Sequence, residues 1–201
     1  MKVEDGPVKA GGFSPDGKIL ALATGDRWSA WKLMFRTNPS IHGRLKLVDI
    51  AKGEIVESLT AHEDETKALK FSPDGRILAT GGGDGVVKFW DAATWKEQCK
   101  LKGHEGGITS LAFSPDGKLL ASADCYSVKL WDVANRRELP QLSKQLKGGN
   151  RVAFAPQGCI LATGVEDEKD RYFDRNPAKE LPDYNAIRLW KVQMPQPPVR
   201  R

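Results

Sequence analysis

Apolar residues recur along this chain in short runs, and the runs come in pairs. The first member of each pair is dense: KILALATG (18–25), RILATGGG (76–83), KLLASA (118–123) and CILATG (159–164). The second alternates apolar with polar: RLKLVDI (44–50), VVKFWDA (86–92), SVKLWDV (127–133) and AIRLWKV (186–192). A period of two puts successive side chains on opposite faces of a sheet, so these runs predict strands. No stretch sustains a helical period over twelve residues. Ahead of three dense runs stands FSPDG, at Phe13–Gly17, Phe71–Gly75 and Phe113–Gly117, and FAPQG at Phe154–Gly158 precedes the fourth. Proline fixes φ and glycine accepts positive φ, so Pro-Asp-Gly predicts a tight turn between two strands. The four phenylalanines are 58, 42 and 41 residues apart. A recurrence on that scale predicts an array of all-β units with about four short strands each.

Two further pieces complete the repeat. AHEDETKALKFS (61–72) and GHEGGITSLAFS (103–114) lead into the second and third copies. Ala61-His62 followed by Trp90-Asp91, Gly103-His104 followed by Trp131-Asp132, and the FSPDG turns resemble the WD40 family of β-propellers over nearly the whole chain. The resemblance implies an all-β propeller of four WD40-type, four-stranded blades, at about 7–60, 61–102, 103–145 and 146–192. Each blade cannot bury both faces alone and needs neighbours of its own kind. The family usually closes with about seven blades, so four imply an incomplete or open ring. Residues 193–201, rich in proline, are expected to form an extended, mobile tail.

The resemblance also assigns roles. In the family each blade holds a buried hydrogen-bonded set: a His before the first strand, a Ser or Thr on the second, an Asp in the next turn and a Trp on the third. The second repeat supplies His62, Thr80, Asp84 and Trp90. The third supplies His104, Ser122 and Trp131; its turn is one residue shorter, so Asp124 or Cys125 falls at the acid position, and Asp124 is the expected choice. The fourth keeps Thr163 and Trp190 but has KGGN where the His belongs. The first has Leu22 and Val48 at the Ser/Thr and Trp positions, with no preceding His. A His–Ser–Asp combination also suggests a hydrolase triad, but a nucleophile must lie open beside a cleft. A set written in near-copies fits a structural role. The expectation is a protein that is not an enzyme, with no cofactor and no metal.

Composition and charge narrow the classes. Forty per cent apolar and 28% charged residues suit a folded protein. No run of eighteen apolar residues appears, and MKVEDGPVKAGG at the start lacks the apolar centre of a secretory signal. Cys99, Cys125 and Cys159 are far apart, odd in number and without metal-ligand spacing. They fit a reducing cytoplasm rather than a disulfide framework. The formal charge of +5 is spread over single positions, with pairs only at Arg136-Arg137 and Arg200-Arg201. Nucleic-acid surfaces concentrate their cations on one face, which makes that partner class the weaker expectation.

Variation between the repeats is concentrated in one connection. From the Ala of the second strand to the Trp position takes 11 residues in the second repeat (79–90), but 27 in the first (21–48) and 28 in the fourth (162–190). The outer repeats thus carry insertions of about sixteen residues at the same place. Long loops in compact repeats are usually functional or disordered, and insertions collect on one face. Residues 26–44 carry Arg27, Lys32, Arg36 and Arg44 against one Asp, beside Trp28, Trp31 and Phe35; residues 166–186 carry seven acids against four bases, with Arg171, Tyr172, Phe173 and Tyr184. Trp, Tyr and Arg dominate binding hot spots, so Arg27, Trp28, Trp31, Phe35, Arg36, Arg171, Tyr172 and Phe173 are candidate partner contacts. His42, a lone loop histidine, is read as solvated.

The resulting expectation is a cytoplasmic, non-catalytic scaffold that binds a protein or peptide through its inter-strand loops. The alternatives are nucleic-acid binding through the basic aromatic loop 26–44, where cations interleave with stacking rings, and a regulatory fragment of a larger signalling protein, as the resemblance implies. The terminal blades are expected to meet each other, a second copy in a homodimer, or further blades.

Overall fold

The computed structural model describes residues 7–24, 42–140, 151–157, 160–164 and 187–192. Among them fifteen strands form four antiparallel sheets. The first sheet takes β1 (Val8–Phe13), β2 (Ile19–Thr24), β3 (Gly43–Asp49) and β4 (Glu54–His62) in chain order. The second takes β5 (Thr66–Phe71), β6 (Ile77–Gly82), β7 (Val87–Asp91) and β8 (Glu97–Leu101). The third takes β9 (Ser110–Phe113), β10 (Leu119–Ala123), β11 (Val128–Asp132) and the two-residue β12 (Arg137–Glu138). The fourth has three strands among the described residues rather than the expected four: β13 (Arg151–Phe154), β14 (Ile160–Gly164) and β15 (Ile187–Lys191).

The FSPDG turns are built the same way three times. The hydroxyl of Ser14, Ser72 or Ser114 donates to Oδ1 of Asp16, Asp74 or Asp116 at 2.6 Å. The same Ser oxygen accepts the N–H of Ile19, Ile77 or Leu119, at 2.9, 3.0 and 2.9 Å. The Asp accepts the N–H of Lys18, Arg76 or Lys118 at 3.1 Å. Gly17, Gly75 and Gly117 sit at φ of 71°, 72° and 71°, which closes the turn at no steric cost. The fourth copy has Ala155 and Gln157 in place of the Ser and Asp and keeps the backbone bond from Ala155 N–H to Ile160 O, 2.9 Å.

Strand register is equivalent across the sheets. Phe13 pairs with Leu20, Phe71 with Leu78, Phe113 with Leu120 and Phe154 with Leu161. Leu20, Leu78, Leu120 and Leu161 in turn pair with Val48, Trp90, Trp131 and Trp190. Period-two alternation then gives every sheet two unlike apolar faces. Facing the next sheet are Ala79, Val87 and Phe89 in the second, and Ala121, Val128 and Leu130 in the third. Facing the preceding sheet are Leu69, Phe71, Leu78 and Trp90, or Leu111, Phe113, Leu120 and Trp131. Three interlayers result, one at each junction between successive sheets. At the junction of sheets two and three the approach is close enough that a Cβ on Gly81 would run into the Ile108 side chain. The succession is linear: β1 packs on β5, β5 on β9 and β9 on β13, with no comparable packing of β13 on β1 among the described residues.

Candidate functional site

Each polar set begins where the chain crosses from one sheet to the next. His62 ends β4 in the first sheet, and its ring reaches into the second. There Thr80 Oγ1 lies 2.9 Å from His62 Nε2 and accepts the indole N–H of Trp90, also at 2.9 Å. On the other side of the ring, His62 Nδ1 lies 3.1 and 3.2 Å from the two Asp84 oxygens. Asp84 also accepts the backbone N–H groups of Glu63 and Val86. The donors and acceptors balance if Thr80 donates to Nε2 and Nδ1–H donates to Asp84. The glycine run 81–83 makes room for this arrangement, since a Cβ on Gly82 would collide with the His62 ring and the Asp84 carboxylate.

The third sheet repeats the set more tightly. Trp131 Nε1–H donates to Ser122 Oγ at 2.7 Å, Ser122 Oγ lies 2.6 Å from His104 Nε2, and His104 Nδ1 lies 2.9 Å from Asp124 Oδ2. Asp124, not Cys125, occupies the acid position. The shortened turn wraps around it, so that it accepts the N–H groups of Gly106, Tyr126 and Ser127. Both the His104 and the Asp124 side chains are fully buried. In the fourth sheet Trp190 Nε1–H donates to Thr163 Oγ1 at 3.0 Å. The first sheet has apolar Leu22 and Val48 at the Ser/Thr and Trp positions, and dropping both partners of a buried hydrogen bond together leaves neither of those positions unsatisfied.

Burial and hydrogen bonding pull the titrations in different directions. Burial favours the neutral form of Asp124, but the N–H groups of Tyr126 and Gly106 and the adjacent His104 outweigh it and hold the carboxyl below the usual range. At Asp84 burial is likewise overcome by the His62 hydrogen bond and the two backbone donors. His104 is dominated by burial, which lowers its pKa below the ordinary value of about 6.5 despite the facing Asp124. A buried base with a depressed pKa contributes stability that is present above its unfolded pKa and is lost as pH falls below it. The carboxylates add a second loss at still lower pH, below about 4. The melting temperature is therefore expected to fall between about pH 6.5 and 5, before the carboxylates titrate. Calorimetry over that interval checks it, and a melting temperature rising on acidification is the contrary result.

Ser122, His104 and Asp124 have the connectivity of an acyl-transfer triad. The chemistry does not follow, because Ser122 is 0% exposed and Trp131, 2% exposed, donates its N–H to the very oxygen that would attack. Among the described residues no group of three or more His, Cys, Asp or Glu could hold a metal ion. No helix among them is long and apolar enough to cross a membrane. Two ion pairs escaped the reading of the sequence: Lys88–Glu97 at 3.0 Å and Lys129–Glu138 at 3.0 Å, each tying a third strand to its fourth. Their signal was the basic residue two places before each Trp, paired with an acid in the following strand. The candidate partner contacts Arg27, Trp28, Trp31, Phe35, Arg36, Arg171, Tyr172 and Phe173 lie outside the described residues.

Comparison with known proteins agrees with this architecture. Residues 53–91 and 95–132 match the WD40 family model, described as WD domain, G-beta repeat. WD repeat-containing protein 3 of Homo sapiens is 41% identical over 56 residues, which is 28% of this chain and 6% of that protein. Cell division cycle 20.5, cofactor of APC complex, of Arabidopsis thaliana is 28% identical over 114 residues, covering 44% of this chain and 25% of that one. Among solved structures, U3-55K superposes with a TM-score of 0.71 at 16% identity, over 95% of this chain and 50% of that one. The RRP9 WD40 repeats superpose with a TM-score of 0.67 at 17% identity, over 82% and 47%. The chain thus spans a quarter or less of these sequence relatives and about half of the solved propellers. Two WD40 repeats are thus matched directly, at residues 53–91 and 95–132, and the four sheets share the fold of the solved WD40 propellers.

Proposed function

We propose that this chain is a non-catalytic scaffold that holds a protein or peptide partner through the connections between second and third strands. One observation carries the reading. In the second and third sheets every His, Asp and Ser/Thr of the repeated set is bonded to another member of the same set, so these residues hold blades together. Variation is left to the two long connections, and in a rigid scaffold recognition belongs on loops. The name of one relative, a cofactor of the APC complex, describes work within an assembly. The fold alone decides little here, since Kuenenia stuttgartiensis hydrazine synthase also superposes, with a TM-score of 0.65 at 18% identity. Among the described residues Cys99 and Cys125 are free thiols, which suits the reducing cytoplasm as a working compartment.

The test compares the intact chain with variants lacking residues 27–43 or 167–185 as baits for partner capture. A protein retained by the intact chain and released by one deletion, with the melting temperature unchanged, is the expected result. Retention that ignores both deletions, or salt-sensitive retention of nucleic acid, overturns the reading.

A further inference from the structure

The two ends of the sheet array expose residues whose equivalents are buried at the internal junctions. Val87 and Phe89 of β7, and Val128 and Leu130 of β11, face the following sheet and are at most 1% exposed. The equivalent residues of β15, Ile187 and Leu189, are 76% and 71% exposed. At the other end the pattern is mirrored. Phe71 and Phe113, facing the preceding sheet, are 6% and 7% exposed, whereas Phe13 is 62% exposed. Contiguous apolar surface of this kind marks an interaction site. The side chains are those that already interlock inside the molecule, where Phe89 of one sheet meets Phe113 of the next with ring centroids 6.3 Å apart. By register, Leu189 is the counterpart of Phe89 and Phe13 that of Phe113.

We infer that a second copy of this chain covers both ends, each Leu189 face seating on the Phe13 face of the other copy to close a two-chain ring of eight sheets. Two observations favour a second copy over any other cover. The histidine that caps the first two internal joints arrives where the chain crosses from one sheet to the next: His62 ends the fourth strand of the first sheet and His104 follows that of the second. The preceding-sheet face of the first sheet needs no such delivery. Its positions are Gly11, Phe13, Leu20, Leu22 and Val48, without the hydroxyl and indole N–H that a linking histidine serves. That face is suited to a joint with no covalent crossing. The second observation is charge. The connection that follows β2 carries net +3 over residues 26–44 and the one that follows β14 carries net −3 over residues 166–186. The two connections leave equivalent strands and differ in the sign of their charge, which favours pairing one end with the other over pairing like ends.

Sedimentation of the intact chain at micromolar concentration tests this. The expected species has twice the 22.1 kDa chain mass and does not grow further with concentration. Leu189→Arg and Phe13→Arg are each expected to weaken it by at least roughly tenfold, since a charge replaces a central apolar contact at both joints. Mixing the two variants restores one unlike pairing and hence part of the dimer, which a like-on-like interface would not do. Both positions are exposed in the single chain, so circular dichroism of the variants should match the parent chain, and their melting should fall only by the stabilisation that association gives the parent. A monomer at these concentrations overturns the inference, whatever else covers the ends. So does a ladder of ever larger species, which a head-to-tail contact gives when its rotation does not close. Either result leaves the scaffold reading standing, because partner capture depends on the connections and not on the ends.

Discussion

Replacing Trp131 with alanine is expected to cost ~3–5 kcal/mol of folding stability, the range for deleting a buried large aromatic. The indole is 2% exposed and packs with Phe89, Leu111, Phe113 and Leu120 at the junction of the second and third sheets. Its removal opens a cavity shared by two sheets and also strips Ser122 of the 2.7 Å indole hydrogen bond. Against a typical stability of about 5–15 kcal/mol, such a loss unfolds a substantial fraction of molecules at modest denaturant. Because neighbouring units supply each other's stability, the effect is expected to spread beyond one sheet. Urea unfolding checks this against Tyr126→Ala, a 56% exposed ring whose loss is expected to stay within about 0.5 kcal/mol. Equal losses for the two variants would contradict the packing described here.

The second large effect is expected at Asp124. Its carboxylate is fully buried and accepts from His104 and from the N–H groups of Gly106, Tyr126 and Ser127. Asp124→Ala leaves these donors without their acceptor, and each buried donor left unsatisfied costs ~1–3 kcal/mol. Asp84 plays the same part in the second sheet, but its side chain is 15% exposed, so water can serve the groups it abandons. Asp84→Ala is therefore expected to cost less. Parallel urea titrations decide the order, and a larger loss for Asp84→Ala would contradict it.

What could be read from the sequence was what is local or repeated. Pro15, Asp16 and Gly17 declare their turn because proline, a hydroxyl-accepting carboxylate and a positive-φ glycine each leave a local mark. His62 and Trp90 could be placed because a second copy, His104 and Trp131, stands at nearly the same spacing. Asp124 is the expected choice over Cys125, and the shortened turn gives its carboxylate the N–H groups of Tyr126 and Ser127. Two features lay beyond that reach. The Lys88–Glu97 pair depends on a register irregularity in β7–β8 that puts Trp90 opposite Glu97. Phe13 carries the same letter as Phe71 and a different burial, because burial belongs to the neighbour and not to the residue. The same holds for Leu189 and Leu130.

The central claim is that the recurring Trp, Ser/Thr, His and Asp side chains act as internal fasteners of each blade. A double-mutant cycle between Ser122→Ala and Trp131→Phe measures it directly. Ser122→Ala alone leaves the Trp131 N–H and His104 Nε2 without a partner, whereas Trp131→Phe first removes one of those orphans. The two losses are expected to fall short of additivity by ~0.5–3 kcal/mol, the range for residues in direct contact. Losses that add to within about 0.3 kcal/mol would mean that the two side chains do not fasten each other.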